Sequence, residues 1–148
     1  MCRGILAIGL AGLFVLGCIQ VAFSVSANNI EDFDQAAEKI QVVIEDEAAT
    51  VDWVSISQAI QRIGIIKDPR AKELMVGILH REVPLALVEG VPLPDVMPPL
   101  QMLKAAAIDV LVSLNAKECI SEIQKVYETT QFKVLKDMAM EAIVILQE

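Results

Sequence analysis

The sequence predicts an all-α protein in which helical hairpins stack side by side as a short solenoid, preceded by an apolar N-terminal segment. Three observations support this fold class. Apolar residues recur at helical spacing along most of the chain after Asn28, and no window shows the period of two that is typical of strands. One stretch of sequence also repeats at an offset of 32 residues. With 148 residues, the chain has room for one core domain.

The composition excludes several classes of function. The chain has 12 basic and 20 acidic residues and a net charge of −8, so it lacks the basic surface with which proteins neutralise nucleic acid phosphates. Its single histidine, His80, excludes a multi-histidine metal site. Because 55% of the residues are hydrophobic, we expect a folded chain rather than a disordered one.

Residues 1–27 have the pattern of a signal peptide or membrane anchor. Arg3 is the only charged residue before Glu31, and a long apolar stretch follows it. Positions 25–27, Val-Ser-Ala, suit cleavage by signal peptidase. We expect cleavage there to leave a domain of residues 28–148 with one cysteine, and therefore without an intrachain disulfide.

Two other fates fit the same segment. Leu16-Gly17-Cys18 resembles a bacterial lipobox, which would place a lipid on Cys18. If the segment is not cut, a helix over residues 4–27 spans roughly 36 Å, enough to cross a bilayer core of about 30 Å. Arg3 would then keep the start of the chain inside and export the rest. All three fates predict a periplasmic or otherwise extracytoplasmic domain, with membrane association through residues 4–27 or Cys18 in the last two.

Two helices are predicted between Asn28 and Gly64. Asn28 is a good N-cap and acidic residues follow it in the first turn, whereas the acidic run at 45–47 is unfavourable at a helix C-terminus and indicates a solvated bend. The second helix begins at about Val51 and closes near Gly64. Trp53, the only tryptophan, lies at its start, where it is either the edge of the core or a platform for a partner.

A third helix is predicted to begin with Asp68 as N-cap and Pro69 as its first residue, and to stop before Pro84. Five prolines then fall within residues 83–99, which predicts a loop because prolines at this density break helices and central strands. The loop is also apolar. Its side chains either cover an open end of the helical core or form a strip for a partner. The candidate partner-binding residues there are Leu93, Val96, Met97 and Leu100.

The internal repeat predicts the remaining helices. Residues 103–114 align with residues 135–146, which places a helix over each stretch and a shorter helix over 120–127 between them. A repeat of this size is one helical hairpin that must stack on its neighbours to bury its apolar face. Five of the twelve aligned pairs are identical: Leu103/Leu135, Lys104/Lys136, Ala107/Ala139, Val112/Val144 and Leu114/Leu146.

These motifs resemble the HEAT family, particularly the short HEAT-like repeats shared with phycobilin lyases. The similarity lies in the Ala-Ile-x-x-Ile-Gly run at 59–64, the Asp-Pro-Arg-Ala run at 68–71 and the lysine-to-leucine spacing of 104–114 and 136–146, and it extends over about residues 51–148. The chain departs from the pattern where Ile65-Ile66-Lys67 lengthens a turn and where Asn115 replaces the usual glycine. The resemblance implies a right-handed, HEAT- or armadillo-like helical solenoid that binds other proteins along one face.

The sequence shows no residues arranged for catalysis. We expect His80 at a helix end on the surface, and the acidic clusters as caps and solvated faces, because neither cluster has the spaced ligands of a calcium loop. Cys119, beside Ile120, is expected to be a small buried hydrophobe. No glycine-rich phosphate loop is present in the sequence. These features predict a protein that is not an enzyme and that needs no metal or cofactor.

The predicted function is that of an exported scaffold that binds a protein, and the negative charge favours a partner with a basic surface. Two alternatives remain from the sequence. If the N-terminal segment is retained or lipidated, the chain is a bitopic or lipid-anchored structural subunit of a membrane complex. The resemblance to phycobilin lyases instead implies a protein that handles a bilin chromophore.

Overall fold

The computed structural model describes residues 32–90 and 97–148. Residues 1–27, with Cys18, and residues 91–96, with Leu93 and Val96, lie outside the described residues. Helices dominate the described part, which confirms the all-α prediction. The elements in chain order are α1 (32–45), β1 (Thr50–Val51), α2 (Trp53–Ile66), α3 (Ala71–His80), β2 (Ala86–Leu87), α4 (Pro99–Ser113), a 3-10 turn (Lys117–Cys119), α5 (Ile120–Thr129) and α6 (Lys133–Gln147).

The helices from α2 to α6 pack in two rows. In one row α4 lies between α2 and α6, so the two copies of the sequence repeat contact each other, and in the other row α3 contacts α5. Across the rows, α3 packs on α4 and α5 packs on α6. The closest helical pairs are therefore not the predicted hairpins α2–α3 and α4–α5. Because α4 already has a neighbour on each side in its own row, its remaining apolar face turns toward α3.

The core is aliphatic, as the apolar spacing predicts. Cys119 is buried within it, and this burial raises the pKa of the thiol above its usual value, as does the charge of Glu118. The prediction that Cys119 is a buried hydrophobe is confirmed. The largest side chains that are fully enclosed include Ile60, Ile63, Met75, Ile78, Leu103, Ile108, Leu111, Ile123, Leu135 and Leu146.

Helix α2 differs from its predicted bounds at both ends. It begins at Trp53, where the carboxylate of Asp52 accepts a hydrogen bond from the amide of Val54, while Val51 belongs to a two-residue strand paired in parallel with Ala86–Leu87. The helix also continues past Gly64 to Ile66. Gly64 is a packing residue rather than a helix stop, since a Cβ there would lie 3.0 Å from a methyl carbon of Val110 on α4.

Helix α3 begins two residues later than predicted. Pro69 precedes it in a turn, and the first helical residue is Ala71. Asp68 does not cap this helix. Its carboxylate accepts hydrogen bonds from the backbone amide and the guanidinium of Arg70, which holds the pKa of Asp68 below its usual value. The carboxylate therefore stabilises the turn that joins α2 to α3.

A Schellman motif ends α4, with Asn115 at the position where such a motif usually has glycine. The amide of Ala116 bonds to the carbonyl of Leu111, and the amide of Asn115 bonds to the carbonyl of Val112. Asn115 has φ 50°, in the left-handed region. Asparagine tolerates this region better than other residues that carry a Cβ.

We expect Asn115→Ala to lower the free energy of unfolding by about 1 kcal/mol, because alanine is strained in the left-handed conformation. Asn115→Gly should leave it unchanged or raise it slightly. Urea unfolding of the three proteins measures the difference. Lys117→Ala, an exposed change two residues later, is the control and should have little effect. Equal stability of the alanine and glycine variants would contradict the assigned backbone conformation.

Arg81 is a buried residue that joins three segments. Its side chain is 5% exposed and donates hydrogen bonds only to backbone carbonyls: that of Val43 near the end of α1, that of Glu47 at 3.0 Å and that of Val83 at 3.1 Å. The guanidinium thus satisfies carbonyls that the end of α1 and the following turn leave without intrahelical partners. The sequence analysis did not identify this role.

Candidate protein-binding surface

Of the five candidate partner-binding residues, the structure describes Trp53, Met97 and Leu100. Met97 and Leu100 are 9% and 5% exposed, which fits the alternative in which side chains of the proline-rich segment cover the helical core. The reason is local: Pro98 and Pro99 start α4, and this turns Leu100 onto the inner face of the helix. Trp53 is partly exposed at the first position of α2.

His80 is the last residue of α3 and is exposed, as predicted. Its imidazole forms a short hydrogen bond with the carboxylate of Glu122 on α5, and the ammonium of Lys125 lies 3.0 Å from the same carboxylate. These contacts line a cleft of about 570 Å³ that also contains Lys104. Burial lowers the pKa of Lys104, whereas the charge of Glu82 acts in the opposite direction. The paired charges connect α3 to α5, which is a structural role.

The Glu122 carboxylate makes the contact between α3 and α5 dependent on pH. The hydrogen bond from His80, followed by that from Lys125, lowers the pKa of Glu122 in the folded protein. A carboxyl group with a lowered folded pKa stabilises the fold at pH values above its unfolded pKa, and this contribution is lost as the pH falls through the folded pKa.

We therefore expect Glu122→Gln to lower the melting temperature near neutral pH. The difference from wild type should shrink once the pH falls below the ordinary carboxyl pKa of about 4.3, and it should vanish as the pH falls through the lower pKa of folded Glu122. Thermal unfolding followed by circular dichroism from neutral to acidic pH measures this difference. Glu128→Gln, an exposed change on the same helix, is the matched control. A difference that stays constant across this range would show that the carboxylate charge plays no part.

Among the described residues, α6 carries more exposed large apolar side chains than any other helix. Val134, Met140, Val144 and Ile145 are between 45% and 51% exposed. Helical spacing places them on one side of α6 together with two exposed acidic residues, Asp137 and Glu141. We call these six residues the open face of α6. Four half-exposed large apolar side chains on one helix are unusual for a surface that meets only water.

The internal repeat shows what a helix in this position packs against. Ile108 of α4 is 1% exposed, whereas the aligned Met140 of α6 is 45% exposed. Val112 is partly buried and its partner Val144 is 51% exposed. The difference follows from position, because α4 has a neighbour on each side in its row and α6 packs mainly on α4 and α5 among the described helices.

Acidic side chains accompany these apolar residues. Asp109 of α4 and Glu141 of α6 are aligned in the repeat, and both are exposed. Burial raises the pKa of Asp109, and the negative charge of Glu141 raises it further. On the open face, Asp137 forms an ion pair with Lys133 at 3.3 Å.

The sequence analysis did not predict the open face of α6. The repeat aligns residues 103–114 with residues 135–146 and does not by itself distinguish the exposure of the two helices. One difference within the alignment could have revealed the face: Ala105, buried in α4, is aligned with the acidic Asp137 of α6. An acidic residue at a position that the repeat otherwise buries indicates that this position faces solvent.

No family model, curated protein or solved structure matches this chain. Among the residues that the structure describes, none of the helices has both the length and the apolar character needed to cross a bilayer. The same residues contain no cluster of three or more histidine, cysteine, aspartate or glutamate side chains that could hold a metal ion.

Proposed function

We propose that this chain is an exported, HEAT-like repeat module that binds a protein partner with a basic surface, in the periplasm or at the outer side of a membrane. The observation that carries the proposal is the packing of the two repeat copies, α4 and α6, in one row of helices. Helices stacked in this way build an extended surface rather than a deep cleft, and such surfaces suit recognition of proteins.

Charge supports the choice of a basic partner. The chain carries a net charge of −8, and exposed acidic residues lie beside the exposed apolar residues of α6. Opposite charge on a partner speeds association and disfavours wrong partners, and its effect weakens as salt screens the charges. Association should therefore become weaker at higher ionic strength.

Chemical crosslinking of the full-length tagged protein in its native cells tests this function. We expect recovery from the envelope fraction, crosslinked to a protein, in a yield that falls when salt is raised before crosslinking. The same sample gives the intact mass, which distinguishes a chain cut before Asn28, a chain lipidated at Cys18 and an uncut chain. Recovery from the cytosol, or no crosslinked protein, would contradict the proposal.

A further inference from the structure

We propose that the open face of α6 binds a single helix of a partner protein, laid beside α6 as α6 lies beside α4, through an apolar stripe flanked by lysine or arginine. This inference rests on the proposed function, because it takes the partner to be a protein. It adds the site, the secondary structure of the bound segment and its charge.

Helices α4 and α6 differ in how many neighbours they have in their row. The repeat aligns α6 with α4, and α4 is covered on one side by α2 and on the other by α6 itself. Helix α4 takes the same place beside α6 that α2 takes beside α4. Within the described residues, α6 has extensive contacts only with α4 and α5. Among the described helices, none has extensive contacts with the side of α6 that bears Met140 and Val144.

The second step is the chemistry of that side. A helix that ends a stack normally has a polar outer face, because apolar side chains there would remain in water. On α6 the positions aligned with covered residues of α4 remain apolar. Met140 is aligned with Ile108, Val144 with Val112 and Val134 with Met102. These three residues of α6 are 45% to 51% exposed.

The third step identifies the bound segment as a helix. Helix α4 is itself in contact with α6, the helix to which it is aligned in the repeat. Met140 and Val144 are four residues apart, and Val134 and Asp137 are three apart, so the open face presents helical spacing. An apolar helix with contacts every three to four residues fits such a surface, which is a common mode of peptide recognition.

The fourth step separates a basic partner from a second copy of this chain. The open face includes the exposed carboxylates of Asp137 and Glu141, and Asp109, which is aligned with Glu141 in the repeat, is also exposed on α4. Lys133 pairs with Asp137, but no ion pair joins Asp109 or Glu141 to a described cation. Two copies meeting face to face would bring their own carboxylates together, whereas lysine or arginine beside an apolar stripe would pair with them.

The test begins with a photo-reactive residue at position 144 of the full-length protein, expressed in its native cells. Irradiation followed by mass spectrometry identifies the crosslinked residues of the partner. The same reactive residue at exposed Ser121, on α5 in the other row, is the control position. We expect position 144, and not position 121, to crosslink to a segment with an apolar stripe at helical spacing and a net positive charge.

A synthetic peptide of the mapped segment then tests the contact in solution. Fluorescence anisotropy with the purified full-length protein should show binding that weakens as salt rises. Met140→Asp and Glu141→Lys should each weaken it at least tenfold, since each replaces a favourable contact with an unfavourable one. The matched control is Glu128→Lys, the same charge reversal at an exposed position of α5, and it should change the affinity less than twofold. Circular dichroism verifies that each variant is folded.

Several results would overturn the inference. Crosslinks from position 144 to a second copy, to other residues of the same chain, to lipid or to an acidic segment would each show a different occupant. Equal affinity of Glu141→Lys and wild type would exclude the proposed charge contact. If position 144 gives no crosslink while position 121 reaches a protein, this site is wrong and the proposed function stands. If neither position crosslinks to a protein and chemical crosslinking also finds none, the binding site on α6 and the proposed function are both wrong.

Discussion

Replacing Arg81 with methionine is expected to lower the free energy of unfolding by about 3 kcal/mol, which is the largest effect we expect from a single polar side chain. Methionine retains part of the apolar stem but donates no hydrogen bonds. The carbonyls of Val43, Glu47 and Val83 would then lose their common donor, and the first of these bonds is buried. Urea unfolding monitored by circular dichroism gives the difference.

Two further variants show whether the guanidinium geometry matters. Arg81→Lys keeps the positive charge, but a single ammonium cannot reach three carbonyls in a fork, so we expect a loss smaller than that of Arg81→Met and still clearly measurable. Arg70→Met is the matched control, since Arg70 is exposed and forms surface ion pairs with Asp34 and Asp68. Its effect should be far smaller. Equal losses at positions 70 and 81 would contradict the role assigned to Arg81.

The second large effect compares two aligned positions of the repeat. Ile108→Ala should lower the free energy of unfolding by about 3 kcal/mol, because it empties space in a close-packed core. Met140→Ala should cost well under 1 kcal/mol, because the methionine is 45% exposed. Urea unfolding of both variants measures the contrast. Similar losses at positions 108 and 140 would mean that Met140 is as deeply buried as Ile108, contrary to the structure.

Much of the fold follows from local sequence patterns. Apolar spacing predicts α4, α5 and α6 to within a few residues, because each helix has an apolar side that must be buried. The repeat predicts that α4 and α6 lie alongside one another, and the two helices are in contact. The sequence does not show which helices pair across the rows. That pairing depends on which side of α4 packs against each of its three neighbours, α2, α3 and α6.

Features that depend on distant segments could not be read from the sequence. In the sequence, Arg81 cannot be distinguished from a surface arginine. Its role depends on the fold, which brings the end of α1 and the following turn next to the end of α3. The two-residue pairing of Thr50–Val51 with Ala86–Leu87 is too short to produce an alternating pattern. The apolar, proline-rich segment around Met97 and Leu100 left open whether its side chains cover the core or face a partner, and the start of α4 places these two residues inward.

The central claim is that α6 is the edge of a helix row whose interior member is α4. Line broadening of methyl groups by a soluble paramagnetic agent, measured by NMR on the purified full-length protein, tests this claim most directly. The account predicts strong broadening of the Met140 methyl and protection of the Ile108 methyl, although the two positions are aligned in the repeat. Equal protection of both methyls, or equal broadening of both, would contradict it.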